Sequence, residues 1–361
     1  MGILDTIIHS KQTETLRTFN PESIVDDILA ILKEREKQIL IKRYGLKNSE
    51  VKTLASIGLE HGLTRERVRQ IEKDLVKQLR KSGRSHVGLG TVRELLLGTI
   101  NEHGKVMAED LLLKSMGIKA ESDRNAIIFI LNLIEDVDSY LHENYKKCWS
   151  TIAFNKQFLS DFTLEAQKLL EGSSKPIKEG DFLERFSETD FFKKNTQELT
   201  QKVVLNFLDL AHRIEKNVFG HWGLSTSKQI VPKDVGDKAY LVLKEHGKPE
   251  HYSTITEMIN KAAFDNRTAY KETVHNELIK DRRFILIGRG IYALDEWGFK
   301  PGVVSDVIKE ILSEAGKPLP KDKIIEAVLK RRQVKKNTIL VGLSNKKLFR
   351  KVDKNLYDLA S

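Results

Sequence analysis

The stretch "VKTLASIGLEHGLTRERVRQIEKDLVKQLRK", residues 51–81, decides how this chain is read. From Thr64 onward it carries seven cations on what reads as one helix. At 100° per residue, Val68, Ile71, Leu75 and Leu79 step by three, four and four, so they share one stripe. Thr64 precedes the stripe as an N-cap candidate, and Glu66 stands in the first turn, where the helix dipole favours an anion. Away from the stripe run two rows, Arg65–Arg69–Lys73 and Glu66–Gln70. A helix anchored in this way presents Arg, Glu and Gln near its N-terminal end. In a major groove Arg reads guanine, Gln pairs with adenine and Glu accepts from cytosine. A solvated basic surface helix is the plainer account of the same charges.

The residues upstream favour the groove. Residues 53–60 read as a short helix packed by Leu54, Ala55 and Ile57, with a turn at His61–Gly62 and Leu63 closing the corner. This is helix-turn-helix spacing, in which the second helix enters the groove by its N-terminal end. Before it, "SIVDDILAILKEREKQILIKRYGL" (residues 23–46) supplies two more amphipathic helices.

Residues 25–86 resemble region 4 of the sigma-70 family of bacterial RNA polymerase sigma factors. The resemblance is carried by "KEREKQILIKRYGL", "TLASIG", "TRERVRQIE" and "SGRSHV". It implies a double-stranded DNA partner, a promoter minus-35-like element, and docking on the beta-subunit flap of the RNA polymerase core. Carried over by position, Arg65, Glu66, Arg69 and Gln70 would face bases and nearby phosphates, Thr53 would touch the backbone, and Thr64 and Lys73 complete the candidate DNA-binding set. Two positions depart from the family pattern: His61 replaces a residue that is usually apolar, and Asp74 stands where a cation is common. Ahead of this domain the 24-residue arm, residues 1–24, is too short for a promoter-melting module. The chain is therefore expected to use its sigma-like part without opening DNA by itself.

Composition bounds the remainder. The chain has 361 residues, a net charge of +10 and one cysteine, Cys148, which rules out an internal disulfide framework and suits a reducing cytoplasm. The longest apolar run, Ile127 to Leu131, is far short of a membrane span, so no membrane partner is expected. Gly2 and Thr6 match a myristoylation pattern that we treat as chance. The expected location is the cytoplasm, associated with the nucleoid.

A repeat organises residues 88–361. "EHGKV" (102–106), "SSKPI" (173–177), "EHGKPE" (245–250) and "EAGKPL" (314–319) recur at spacings near 70 residues. Each lies between two helical patterns, and each is followed by a third helix and a short β-pattern that carries an aromatic. The fold class expected is therefore mainly α: an N-terminal four-helix helix-turn-helix domain followed by four tandem winged-helix modules with short β-wings. The boundaries read 25–86, 88–155, 156–231, 232–300 and 301–361. The third copy, residues 234–298, resembles the HARE-type helix-turn-helix family, which includes the N-terminal domain of the RNA polymerase delta subunit. Its wing strand "GIYALDEW" would pack the core through Ile291 and Leu294.

Charge distinguishes the copies. Net charge is +5 for residues 1–86, −3 for 87–231, +1 for 232–302 and +7 for 303–361. Phosphate contact dominates DNA affinity, so the middle copies are poor DNA binders by this measure. In the first copy "NAIIFILNLIED" is apolar almost all round and must be covered by a partner or a neighbouring module. In the fourth, Lys335 and Lys336 open the third helix and are candidate DNA contacts. Gly88 and Gly90 read as a hinge that would let residues 1–86 separate. No P-loop, metal-ligand spacing or nucleophile–base set is present, so no cofactor and no enzymatic activity is expected. Two functions remain: a promoter-reading transcription factor that contacts RNA polymerase, or a delta-like polymerase accessory protein acting through protein contacts.

Overall fold

In the computed structural model, which describes residues 20–83, 87–299, 304–331, 334 and 336–360, the first helix starts where an asparagine precedes a proline. The Asn20 side chain accepts from the Ser23 N–H at 3.0 Å, and Pro21 takes the first helical position, where no N–H is needed. Helices Pro21–Leu29, Glu34–Tyr44, Leu54–His61 and Arg65–Gly83 follow in order. Gly45 and Gly62 end the second and third of these in the left-handed conformation, at φ +64° and +66°. Residues 1–19 and Arg84–His86 lie outside the described residues.

The chain divides into two compact units, Met1–Glu215 and Lys216–Ser361. It is mainly helical, with small antiparallel sheets of three strands. In the first unit, helices Val87–Glu102, Glu109–Ser115 and Glu121–Leu133 accompany a sheet whose central strand is Tyr145–Thr151. Val106–Ala108 pairs on one side of that strand (Val106 opposite Ser150) and Val137–His142 on the other (Val137 opposite Thr151). Helices Lys156–Glu171, Glu179–Ser187, Asp190–Lys194 and Gln201–Leu210 come next.

One core runs through the first part of this unit. Val25, Ile28, Leu29, Leu75 and Leu79 belong to the same buried cluster as Leu89, Leu96, Ile127, Phe129, Ile130 and Trp149. Helix Glu121–Leu133 packs against three of the N-terminal helices, Pro21–Leu29, Glu34–Tyr44 and Arg65–Gly83. This explains why it is apolar all round: its own sheet takes one side and the N-terminal helices take another. Polar pins fix the seam. Arg80 donates to the Asn132 carbonyl through Nε and Nη2 at 3.1 and 2.8 Å, capping the helix end, and Asn125 Nδ2 donates to the Gly45 carbonyl at 3.0 Å. Tyr44 meets Phe129 edge-on at 5.0 Å.

The expected hinge is therefore corrected. Gly88 and Gly90 lie in the first turn of helix Val87–Glu102, and Leu89 between them is buried in the shared core. Glycine permits a bend, but the apolar spacing Leu89, Val92, Leu96, Ile100 imposes helix here.

The next helices repeat the arrangement. Helix Gln201–Leu210 lies over the turn His103–Gly104–Lys105 and strand Val106–Ala108, where Asn206 Nδ2 donates to both the His103 and Val106 carbonyls at 2.7 Å. Gly104, at φ +86°, is required: a Cβ there would meet Phe207 and Val203 at 2.8 Å. Phe162, Phe182, Phe186 and Phe207 fill this second core.

In the second unit, helices Val235–His246, Tyr252–Ala262 and Lys271–Lys280 enclose Leu243, Ile255, Val274 and Tyr292. The sheet has Ile291–Leu294 in the centre, Glu250–His251 on one side and Phe284–Gly288 on the other. Leu294 enters this core as expected, but Ile291 does not. It packs with Ile285, Ile287 and Ala293, because residues three apart on a strand point to opposite faces. Helices Val304–Ala315, Lys321–Arg331 and Lys336–Leu343 build the last core around Ile308, Ile324 and Ile339, with strands Leu319–Pro320, Leu356–Leu359 and Phe349–Asp353 in that order.

Candidate nucleic-acid interface

Thr53 caps helix Leu54–His61, its hydroxyl accepting from the Ser56 N–H at 3.2 Å. Thr64 caps the next helix by accepting from the Arg67 N–H at 3.2 Å. Each cap contributes about 1 kcal/mol by satisfying an otherwise orphan donor. A threonine hydroxyl that accepts from a backbone N–H keeps its own proton to donate, so both can also face a phosphate. Between the two helices Gly62 makes the turn, and Leu63 N–H bonds to the Gly58 carbonyl at 2.8 Å. Gly58 was missed in the sequence. A Cβ at that position would lie 2.5 Å from the Leu63 carbonyl oxygen, so the tightness of the turn depends on it.

In the anchor stripe Val68, Leu75 and Leu79 are buried and Ile71 is half-buried, and the stripe serves two cores. Val68 joins Ile39 and Ile57 in a small local cluster, with Leu54, Leu63 and Ile71 around it. Leu75 and Leu79 enter the large core shared with helix Glu121–Leu133. Arg43 Nε also reaches Glu72 at 3.3 Å, tying the second helix to the fourth. Burial, then Glu72, pushes the Tyr44 phenol above its ordinary range. His61, the departure from the family pattern, contributes its carbonyl to Arg35 at 2.8 Å, while its Nε2 is buried without a hydrogen-bond partner.

Arg65, Glu66, Arg69, Gln70 and Lys73 are all exposed. Three of them are joined. Arg69 donates to Glu66 through Nη2 and Nε at 2.6 and 2.8 Å, Gln70 Nε2 donates to Glu66 at 3.4 Å, and Arg67 Nη1 donates to Gln70 at 3.3 Å. Glu66 and Arg69 are 58% and 54% exposed, so solvent screens the pair and it adds little to stability. Its consequence is for charge and geometry: the Arg69 hydrogen bonds hold the Glu66 carboxyl below the usual carboxylate range, in the acceptor-only state that cytosine needs. Arg67 is a further exposed cation that the sequence analysis did not single out. Nearby, Lys42 and Lys52 both pair with Glu60, whose pKa falls to about 2, and that pairing ties both lysines to a carboxylate.

The other candidates lie at the far end. Lys336 is exposed at the start of helix Lys336–Leu343, while Lys335 lies outside the described residues. Among the described residues there is no group of three or more His, Cys, Asp or Glu placed to hold a metal. Cys148 is buried, donates to the Tyr140 carbonyl at 3.4 Å, and has its thiol pushed up to about 12 by burial.

Two consecutive helices with a tight turn, the second anchored by one face and offering Arg, Glu and Gln on the other, define a helix-turn-helix. Residues 28–81 match the family model Sigma-70, region 4. The chain is 40% identical over 80 residues to the RNA polymerase principal sigma factor HrdD of Streptomyces coelicolor, which is 22% of this chain and 24% of that protein. It is 40% identical over 82 residues to the sigma factor RpoS of Coxiella burnetii (22% and 23%), and 43% identical over 61 residues to SigA of a Bacillus species (17% and 16%). The chain thus spans about a quarter, or less, of the length of the curated relatives it matches.

Proposed function

We propose that this protein is a DNA-binding transcription factor whose region 4 reads a minus-35-like promoter element and contacts RNA polymerase in initiation or its regulation. The observation that carries the reading is the exposed set Arg65, Glu66, Arg69 and Gln70 at the start of a helix held by Val68 and Ile71. Thr53, Thr64 and Lys73 flank it as phosphate contacts, and Lys336, with Lys335, provides a second basic region. Polymerase contact, at the beta flap or elsewhere, is confined to surface left open by helix Glu121–Leu133, which already occupies one apolar face of region 4. The four units 88–155, 156–231, 232–300 and 301–361 are read as winged-helix modules, the third of HARE type. We place the protein in the cytoplasm, acting by binding rather than by catalysis; among the described residues no helix is long and apolar enough to cross a membrane.

The second reading is a delta-like accessory protein that holds the polymerase without reading DNA sequence. It is favoured by the module at 232–300, where Tyr270 and Ile279 are 67% and 63% exposed beside and on the third helix, Lys271–Lys280. Aromatic and aliphatic side chains of this kind suit protein contact better than phosphate. The test is purification of the tagged chain, after crosslinking, from its own cells. Promoter reading predicts RNA polymerase core together with DNA fragments that share a minus-35-like sequence. Polymerase with fragments of no common sequence would favour the accessory reading.

A further inference from the structure

We propose that the wing of the last module is a sequence-independent binding surface for the phosphate backbone of duplex DNA, formed by Lys346, Lys347, Lys351 and Lys354. This rests on the DNA-binding reading of the chain, though not on base recognition by region 4. In "SNKKLFRKVDKN", residues 344–355, five cations fall within nine positions and all are exposed. Phe349 is buried and plugs the strand into the core, while the other four residues of Phe349–Asp353 are exposed. The turn ahead of the strand is fixed: Asn345 Oδ1 accepts from the Lys347 N–H at 3.1 Å and the Asn345 carbonyl from the Leu348 N–H at 3.0 Å. Lys346 and Lys347 are therefore presented by an ordered turn.

Of the five cations only Arg350 is in an ion pair among the described residues, with Asp358 at 2.9 Å. The carboxylate within the segment, Asp353, accepts from the Lys354 N–H through Oδ1 at 2.6 Å. None of the four lysines is in an ion pair among the described residues.

Phe349–Asp353 is an edge strand, and edge lysines can simply discourage pairing with another chain. One or two on the strand suffice for that. Here Lys346 and Lys347 precede the strand and Lys354 follows it, so the row extends past the edge it would guard. The strand Phe349–Asp353 alone spans ~13 Å, a length over which a duplex carries about eight phosphates.

The side-chain chemistry selects the partner. Protein-binding surfaces take their energy from Trp, Tyr and Arg anchors. A row of lysines is instead a row of flexible point charges, which suits phosphates and carries no base code. In the equivalent wing, aligned on Phe284 and Phe349, the positions of Lys346, Lys347, Lys351 and Lys354 are held by Asp281, Arg282, Leu286 and Arg289, so the full row does not come with the fold.

The test uses the full chain carrying Lys→Ala at 346, 347, 351 and 354, and a second variant with Gln at the same positions to keep side-chain length. Affinity for a random-sequence duplex is measured between about 50 and 200 mM salt. Each lysine that contacts a phosphate accounts for about 0.9 of the log–log salt slope, so both variants should lose about two to four from it. Affinity should fall equally on every sequence. A control with Lys→Ala at 175, 178, 193 and 194, which removes the same charge from the first unit, should keep the wild-type slope. An unchanged slope in the wing variants overturns the proposal, and so does an equal loss in the control, which would mean net charge alone. Loss of binding to RNA polymerase core with the DNA slope intact would assign the surface to protein and overturn it as well. If wild type shows the slope but selects no sequence, base reading fails and the wing surface stands.

Discussion

Helix Glu121–Leu133 and helix Lys336–Leu343 each directly precede a pair of antiparallel strands, yet they meet different surroundings. Phe129, Ile127, Ile130 and Leu131 in the first are fully buried, closed in by helices from the preceding domain. In the second only Ile339 and Leu343 are buried, while Lys336, Asn337, Thr338 and Val341 face solvent. Gln201–Leu210 follows the first pattern and Lys271–Lys280 the second. A helix ahead of the strand pair occurs each time. In the first unit that helix holds consecutive parts of the chain together, and in the second it leaves one face exposed.

The largest effect should come from Phe129→Ala, at about 3–5 kcal/mol, because a fully buried aromatic leaves a cavity. Denaturant unfolding followed by helix signal should show the N-terminal helices melting with the rest of this core. Val341→Ala, at a site 71% exposed, should stay within about 0.5 kcal/mol. Equal costs at the two positions would break the contrast.

Asn206→Leu should cost about 1–3 kcal/mol, since one buried and one half-buried carbonyl lose their donor. Asn337→Leu, on an exposed surface, should be nearly neutral. Cys148 gives a chemical readout of the same closed core. With its thiol pushed up to about 12, it should resist a thiol-specific reagent at pH 8 in the native protein and react fully on unfolding. Rapid native labelling would mean that this core opens.

Gly90→Ala tests the corrected hinge. The position is helical and exposed, with open space where a Cβ would go. Alanine should stabilise by about 0.5–1 kcal/mol. A hinge would instead show unchanged or impaired stability and altered DNA binding.

The smallest effect concerns pH. Glu60 has its pKa lowered from 4.5 to about 2 by Lys42 and Lys52, so its contribution is complete above the unfolded value and is lost as pH falls through about 2. Carboxyl titration followed by NMR should show the depressed midpoint in wild type, and a return toward 4.5 when both lysines become Ala.

Local pattern made much of this legible. The apolar stripe Val68–Leu79, the cap at Thr64, and the exposed row from Arg65 to Lys73 follow from helical periodicity and side-chain chemistry. The all-round apolarity of residues 125–134 correctly demanded a cover. Which element provides it did not follow, because the contact between Arg80 and Asn132 joins residues 52 positions apart. Gly88 and Gly90 misled for a related reason: glycine marks permission to bend, and the burial of Leu89 that forbids bending is a tertiary fact. Gly58 was visible only as a glycine inside a helical pattern, and the carbonyl that requires it arrives from the next turn. The self-pairing of Glu66 with Arg69 lay within reach, since residues three apart on a helix meet.

Base reading by region 4 is tested most directly by selection from random duplex DNA with wild type and with Glu66→Ala. Wild type should enrich a sequence related to a minus-35 element, and Glu66→Ala should bind the same sites with relaxed preference at a cytosine, with the fold unchanged because Glu66 lies off the buried stripe. Enrichment of no such sequence by the wild-type protein would contradict promoter reading and leave the polymerase-accessory role in its place.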